Sequence, residues 1–151
     1  MTYYSDLSPY CYLTGSEIPQ VLNVGWLDGE HAFERRPMGS DEDLSALIVS
    51  SLPLSVVAQT RGFHICELCG DSMWNAPVAV GERQFVLGSA ECWFPGENGI
   101  VYAAPTLIPH YLREHCYRPP AVFDAAVRKF VGSEAKPNMK ELFKLLTGDV
   151  Y

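Results

Sequence analysis

The chain predicts an α+β fold: a small antiparallel sheet of short hairpins, packed against helices that come late in the sequence. Three observations predict it. Strand-forming runs lie in the first third and in the middle, while capped segments of helical periodicity follow Thr106. Between them, Cys66 and Cys69 at CxxC spacing, followed by Gly70, mark a tight turn.

The elements follow in order. "CYLTG" ends at a glycine, and "VLNVGWL" is rich in strand formers. The Asp28-Gly29 pair is a turn signal, so a hairpin is expected near Trp26. "RRPMGSDED" reads as a loop. Ser40 then stands as an N-cap with Asp43 in the capping-box position. Leu44, Leu47, Ile48 and Leu52 follow at helical spacing, and Pro53 is expected to end the helix. From Gln84 the run "QFVLGSAECWF", the turn cluster "PGENG" and "IVYAA" predict a second hairpin with a bulge near Gly88.

The helical part begins with "LIPHYLREHC". Thr106 is its expected cap, Pro109 sits harmlessly in the first turn, and "YRPP" stops it. Pro120 starts the next helix, with Phe123, Ala126, Val127 and Phe130 on one face and Gly132 at its end. A last helix is expected from Pro137 to Leu146, with Met139, Leu142, Phe143 and Leu146 apolar and Gly148 as C-cap.

A length of 151 residues predicts a single domain over 1–151, with a centre at 61–118 and a C-terminal helical extension at 120–148. Such a chain buries roughly 70% of the surface it exposes when unfolded. The net charge of −7 repels phosphate backbones and argues against nucleic acid as a partner. It suits a basic protein as partner instead. The N-terminus carries neither the basic start nor the apolar run of a signal peptide, and no stretch reaches a membrane span. A cytoplasmic location is expected, where thiols stay reduced. Five unevenly spaced cysteines, Cys11, Cys66, Cys69, Cys92 and Cys116, do not form a disulfide framework. Cys11 and Cys92 lie in apolar, strand-like text and read as core.

Cys66 and Cys69 acquire a chemical meaning from "HYLREHC" downstream. Zinc takes four thiolate or imidazole ligands in a tetrahedron, and two cysteines separated by two residues grip it from one turn. His110 and His115 complete a CxxC plus H-x4-H set. The expected metal ligands are therefore Cys66, Cys69, His110 and His115, with Zn2+ as the ion. On a regular helix the two histidines would stand about 140° apart around the axis, so the helix must distort or end near His115. His64 and Cys116 are the reserve ligands. A knuckle, then a hairpin, then a ligand-bearing helix resembles the layout of treble-clef zinc fingers.

Three stretches carry a further resemblance: "RGFHICELCG", "GIVYAAPTLIPHYLREHCYRPPAVFDAAV" and "LNVGWLDGEHAF". They resemble an uncharacterised family of small bacterial proteins, a domain of unknown function, with RGFHxCxxC and YAAPxLIxHYxxxHxYxPP patterns. The likeness runs from about Leu22 to Val127, and the last helix goes beyond it. It implies a bacterial, cytosolic protein and no particular reaction.

No known catalytic set accompanies the ligands. There is no HExxH, no GxSxG and no phosphate-binding glycine loop, and the deaminase H-x-E fails at His64. Glu67, Glu91 and Glu114 are each available as a base for a small zinc-dependent hydrolase, the alternative reading. Cys116 with His64 would be a nucleophile pair, and a redox role would put Cys66 at the start of a helix, for which the following residues show no pattern. The tyrosines Tyr102, Tyr111 and Tyr117 flank the expected site. The function expected is that of a zinc-stabilised, non-enzymatic protein-binding domain of the immunity or antitoxin kind.

Overall fold

The strongest strand pairing is local, between the aromatic run Glu91–Pro95 and the small-residue run Val101–Pro105. A computed structural model describes residues 2–37, 42–62, 64–69 and 77–148. Its strands are β1 (Pro9–Tyr10), β2 (Ile18–Asn23), β3 (Val56–Val57), β4 (Pro77–Val80), β5 (Arg83–Val86), β6 (Glu91–Pro95) and β7 (Val101–Pro105). Its helices are α1 (Glu42–Ser55), α2 (Ile108–Glu114), α3 (Ala121–Gly132) and α4 (Met139–Thr147). The class is α+β, with a mixed five-stranded sheet in the order β1-β2-β7-β6-β3 and a separate β4-β5 hairpin.

β6 and β7 pair antiparallel with Trp93 opposite Ala103. Alanines on β7 leave room for the rings of β6. Phe94 meets Phe123 and Phe130 of α3 edge-on, at centroid distances of 5.7 and 5.5 Å. Its neighbour Trp93 meets Tyr10 at 5.2 Å and Phe143 of α4 at 4.9 Å. Successive strand residues point to opposite faces, so β6 is covered on both. The remaining contact of β7 is with β2, and it is parallel. A parallel pair needs a long crossover, and everything from α1 to β6 lies within it.

No hairpin forms at Trp26. That residue makes a lone bridge to Tyr4, and its indole N–H donates to the Ala103 carbonyl at 3.0 Å. Asp28 does turn the chain, its Oδ1 accepting from the backbone N–H groups of Glu30 and His31. The "VLNVGWL" run pairs antiparallel with β1 before it and parallel with β7 far along the chain, and composition cannot reveal the second partner.

In α1, Leu44, Ile48 and Leu52 are fully buried, as their spacing requires. Ser40, its expected cap, lies outside the described residues. Pro53 does not end the helix, which continues to Ser55. The "QFVLGSAECWF" run holds no bulge but is divided into β5 and β6, and β5 turns back on β4 around Gly81 and Glu82. Gly88 sits between them at φ +99°, and a Cβ there would lie 2.3 Å from the His64 carbonyl oxygen. Only glycine fits that approach. Thr106 does not cap α2. Its hydroxyl accepts from the Gly88 N–H at 2.9 Å and donates to Ala90 O at 3.0 Å.

The late helices follow their periodicity. Phe123, Ala126, Val127 and Phe130 are buried in α3. Asn138 caps α4 by accepting from Lys140 and Glu141 N–H groups, and Gly148 closes it in the left-handed conformation at φ +74°. Among the described residues, no helix is long and apolar enough to cross a membrane.

Candidate metal centre

Two unrelated pieces of backbone bring four donor atoms together. The first is the segment 64–69. The His64 N–H donates to Gly88 O at 2.9 Å, which pins the segment to the turn before β6. A single 3-10 turn, Glu67–Cys69, then follows. Side chains three apart nearly eclipse in such a turn, so Cys66 and Cys69 face the same way. Gly70, expected to relax this knuckle, lies outside the described residues.

The second piece is α2. Ser45 of α1 donates its hydroxyl to Pro109 O at 2.9 Å and fixes the start of the helix. His110 follows in the first turn and is buried. The helix ends at Glu114, and His115 leaves helical geometry at φ −121° and ψ 7°. Cys116 then takes φ +54°, reversing the chain. Both the His115 and Tyr117 N–H groups donate to Tyr111 O, at 3.1 and 3.2 Å. Tyr117 is anchored further on, its hydroxyl donating to Asp6 at 2.8 Å. The helix end thus swings His115 round to the side of His110, the resolution that the five-residue spacing demands.

Cys66 Sγ lies 3.3 Å from His115 Nε2. Cys69 Sγ lies 3.2 Å from His110 Nε2 and 3.4 Å from His115 Nε2. All four donor atoms fall within 4.8 Å of one another. A tetrahedral ion bonded at about 2.3 Å to sulfur and about 2.0 Å to nitrogen has S···N edges of about 3.5 Å. The cluster has that size, and it can hold a metal ion.

Burial sets the protonation of these groups. Desolvation, with the nearby His115 adding to it, holds His110 down to about 4, and burial also lowers His115. Both imidazoles are therefore neutral at pH 7, the form that binds metal. Burial pushes the Cys66 thiol up to about 11. Without a cation that thiol keeps its proton, and only a cation makes the buried thiolate favourable. Tyr111 lies beside the cluster, its ring centroid 6.2 Å from that of His110 and 6.4 Å from that of His115. Burial and the adjacent Cys66 raise its hydroxyl, which stays protonated.

The reserve ligands stand apart. His64 is exposed, with Nε2 3.4 Å from the Tyr12 hydroxyl. Cys116 spends its position on the chain reversal. Cys92 is fully buried, as expected, whereas Cys11 is only half-buried, in the turn after β1. Of the three flanking tyrosines only Tyr111 meets the cluster rings. Tyr102 packs on Phe123 and Tyr117 on Phe33.

Of the three glutamates, Glu67 and Glu114 are exposed. Glu91 is different. It is 3% exposed and accepts from the Tyr10 hydroxyl at 2.8 Å and the Trp93 indole N–H at 3.1 Å. Burial pushes it up to about 7 despite both bonds. Sequence reasoning weighed Glu91 only as a base. Its place in an otherwise apolar strand, two residues before a tryptophan, was the available sign of a buried carboxylate.

The chain belongs to the family described as Domain of unknown function (DUF7919), whose family model matches residues 2–128. The match takes in the whole five-stranded sheet, both ligand pairs and most of α3. α4 lies beyond it. No curated protein and no solved structure matches the chain.

Proposed function

We propose that Cys66, Cys69, His110 and His115 hold a structural zinc ion, and that the domain is a non-enzymatic module that binds another protein. The observation that carries this is the convergence of four protein donors on one tetrahedral volume. A catalytic zinc keeps three protein ligands and an open position for water, whereas a structural one is closed by four. Two thiolates with two imidazoles are a zinc set, too soft for magnesium or calcium. A knuckle followed by hairpins and a ligand-bearing helix supports a treble-clef-like centre. The likeness to small bacterial proteins supports a bacterial, cytoplasmic setting, where thiols stay reduced. Small size and net negative charge fit an immunity or antitoxin-like role.

A redox role needs a depressed cysteine pKa, and burial moves Cys66 the other way. The alternative of a zinc-dependent hydrolase rests on the exposed Glu67, between the two cysteines, and Glu114, whose charge acts on both histidines. Metal analysis of untagged protein purified without chelator tests the proposal. The expected result is one zinc per chain, with no turnover of ester, amide or phosphoester substrates. Turnover that disappears with a chelator would replace the binding module by the hydrolase. Far less than one zinc per chain would return the cysteines to plain buried thiols.

A further inference from the structure

Away from the metal centre, an open groove of about 960 Å3 lies between β3, the β4-β5 hairpin and α4. Its floor is apolar, formed by Val57, Phe85 and Phe143, all buried. Four cations stand on its rim: Arg61 after β3, Arg83 on β5, and Lys140 and Lys144 one turn apart on α4. All four are exposed. No acidic side chain lines the groove among the described residues, and none of the four is within ion-pair distance of a carboxylate there.

That charge runs against the rest of the molecule. The chain carries a net charge of −7, yet four of its 11 lysines and arginines ring one apolar groove. Lys140 and Lys144 repel each other at i, i+4, a cost that an anion between them would remove. The cations come from three separate elements, so they border the groove at several places rather than converging on one point. Two strand edges also border it. β3 is the last strand of its sheet, and among the described residues β5 pairs only with β4. Open edges beside an apolar floor are where extended peptides bind.

We propose that this groove binds an extended, acidic segment of a partner protein, with its apolar side chains on the Val57–Phe85–Phe143 floor and its carboxylates at the four cations. This rests on the reading of the domain as a protein-binding module and names the chemistry of the partner. It also makes binding a property of this chain beyond the family domain, because α4 supplies two of the cations and part of the floor outside the matched residues.

The test is selection of a random decapeptide display library on the zinc-loaded full chain, followed by affinity measurement of the enriched peptides. Enriched peptides should combine Asp or Glu with Leu, Val or Phe. K140E/K144E should weaken them at least tenfold, and binding should fall steeply with salt. Arg83→Glu, on a different element, should weaken them in the same direction. All three positions are exposed, so folding is retained and is verified by circular dichroism and zinc content. Basic or uncharged winners, no enrichment, or peptides indifferent to both variants would overturn the proposal. So would self-association of the chain abolished by K140E/K144E, since a second copy would then fill the groove. One zinc per chain with no acidic peptide defeats the groove alone. A zinc-free native chain defeats the metal centre, and the peptide result then stands by itself.

Discussion

Glu91 and the Cys/His cluster both bury polar chemistry, and they solve the problem in opposite ways. Glu91 is enclosed by its own neighbours, with the Tyr10 hydroxyl and the Trp93 indole donating to its two oxygens. The Cys66–Cys69–His110–His115 cluster instead gathers four donor atoms within 4.8 Å of one another, an arrangement that can hold a metal ion. A carboxylate can be satisfied by side chains at hand, at the cost of a raised pKa. Under the proposed zinc site, the four converging ligands are satisfied from outside the chain. The first site is self-contained and costs the fold stability as it ionises, whereas a metal held at the second would make folding depend on metal supply, because the unfolded chain has no preformed site.

The contrast can be broken most forcefully at the metal centre. Cys69→Ser and His110→Ala should each remove the metal and lower Tm by more than about 10 °C, since several kcal/mol correspond to that much in a domain of this size. His115→Ala should do the same, while His64→Ala should keep one metal per chain. Metal analysis and thermal unfolding of the four variants decide it. If His64→Ala loses the metal and His115→Ala keeps it, the fourth ligand has been misassigned.

A smaller effect should appear in the pH dependence, with opposite signs at the two sites. Glu91 is raised from 4.5 to about 7 in the fold. Between those values the folded chain holds more protons than the unfolded one, so stability falls as pH rises through that window and levels off above it. The shift corresponds to roughly 3 kcal/mol. The metal centre runs the other way, because protons compete for thiolates and imidazoles as pH falls. Comparing Glu91→Gln with the unaltered protein at each pH, both metal-loaded, cancels the metal contribution. The difference between them should grow in favour of the variant from pH 4.5 to pH 7.5. A flat difference would mean that Glu91 is not raised by burial.

The smallest effect separates the ligand cysteines from the others. In the loaded protein Cys66 and Cys69 should resist thiol reagents until a chelator is added. Cys11→Ser should leave metal content unchanged and shift Tm by no more than the few degrees of a half-buried substitution. Rapid labelling of Cys66 in untreated protein would count against the closed site.

The sequence by itself determined what depends on short spacing. Cys66 and Cys69 sit three apart, and the 3-10 turn puts them on one side. The faces of α3 and α4, the Gly148 cap of the last helix and the β6-β7 hairpin all follow from neighbours within a few positions. The H-x4-H spacing even required α2 to end near His115. Only the tertiary structure decided the rest. β2 pairs with β1 just before it and with β7, some 80 residues away, so no strand after the Asp28-Gly29 turn folds back on it as the hairpin expected at Trp26 would require. Thr106 is taken from its expected cap by Gly88 and Ala90. Gly88 is needed because the His64 carbonyl approaches it, and that approach also holds the cysteine segment in place while leaving His64 itself outside the cluster. Local hydrogen bonds and periodicity act over a turn or two and leave a mark in the order of residues. Pairings between distant segments are chosen by which surfaces bury one another best, and that competition is decided only when the whole chain has come together.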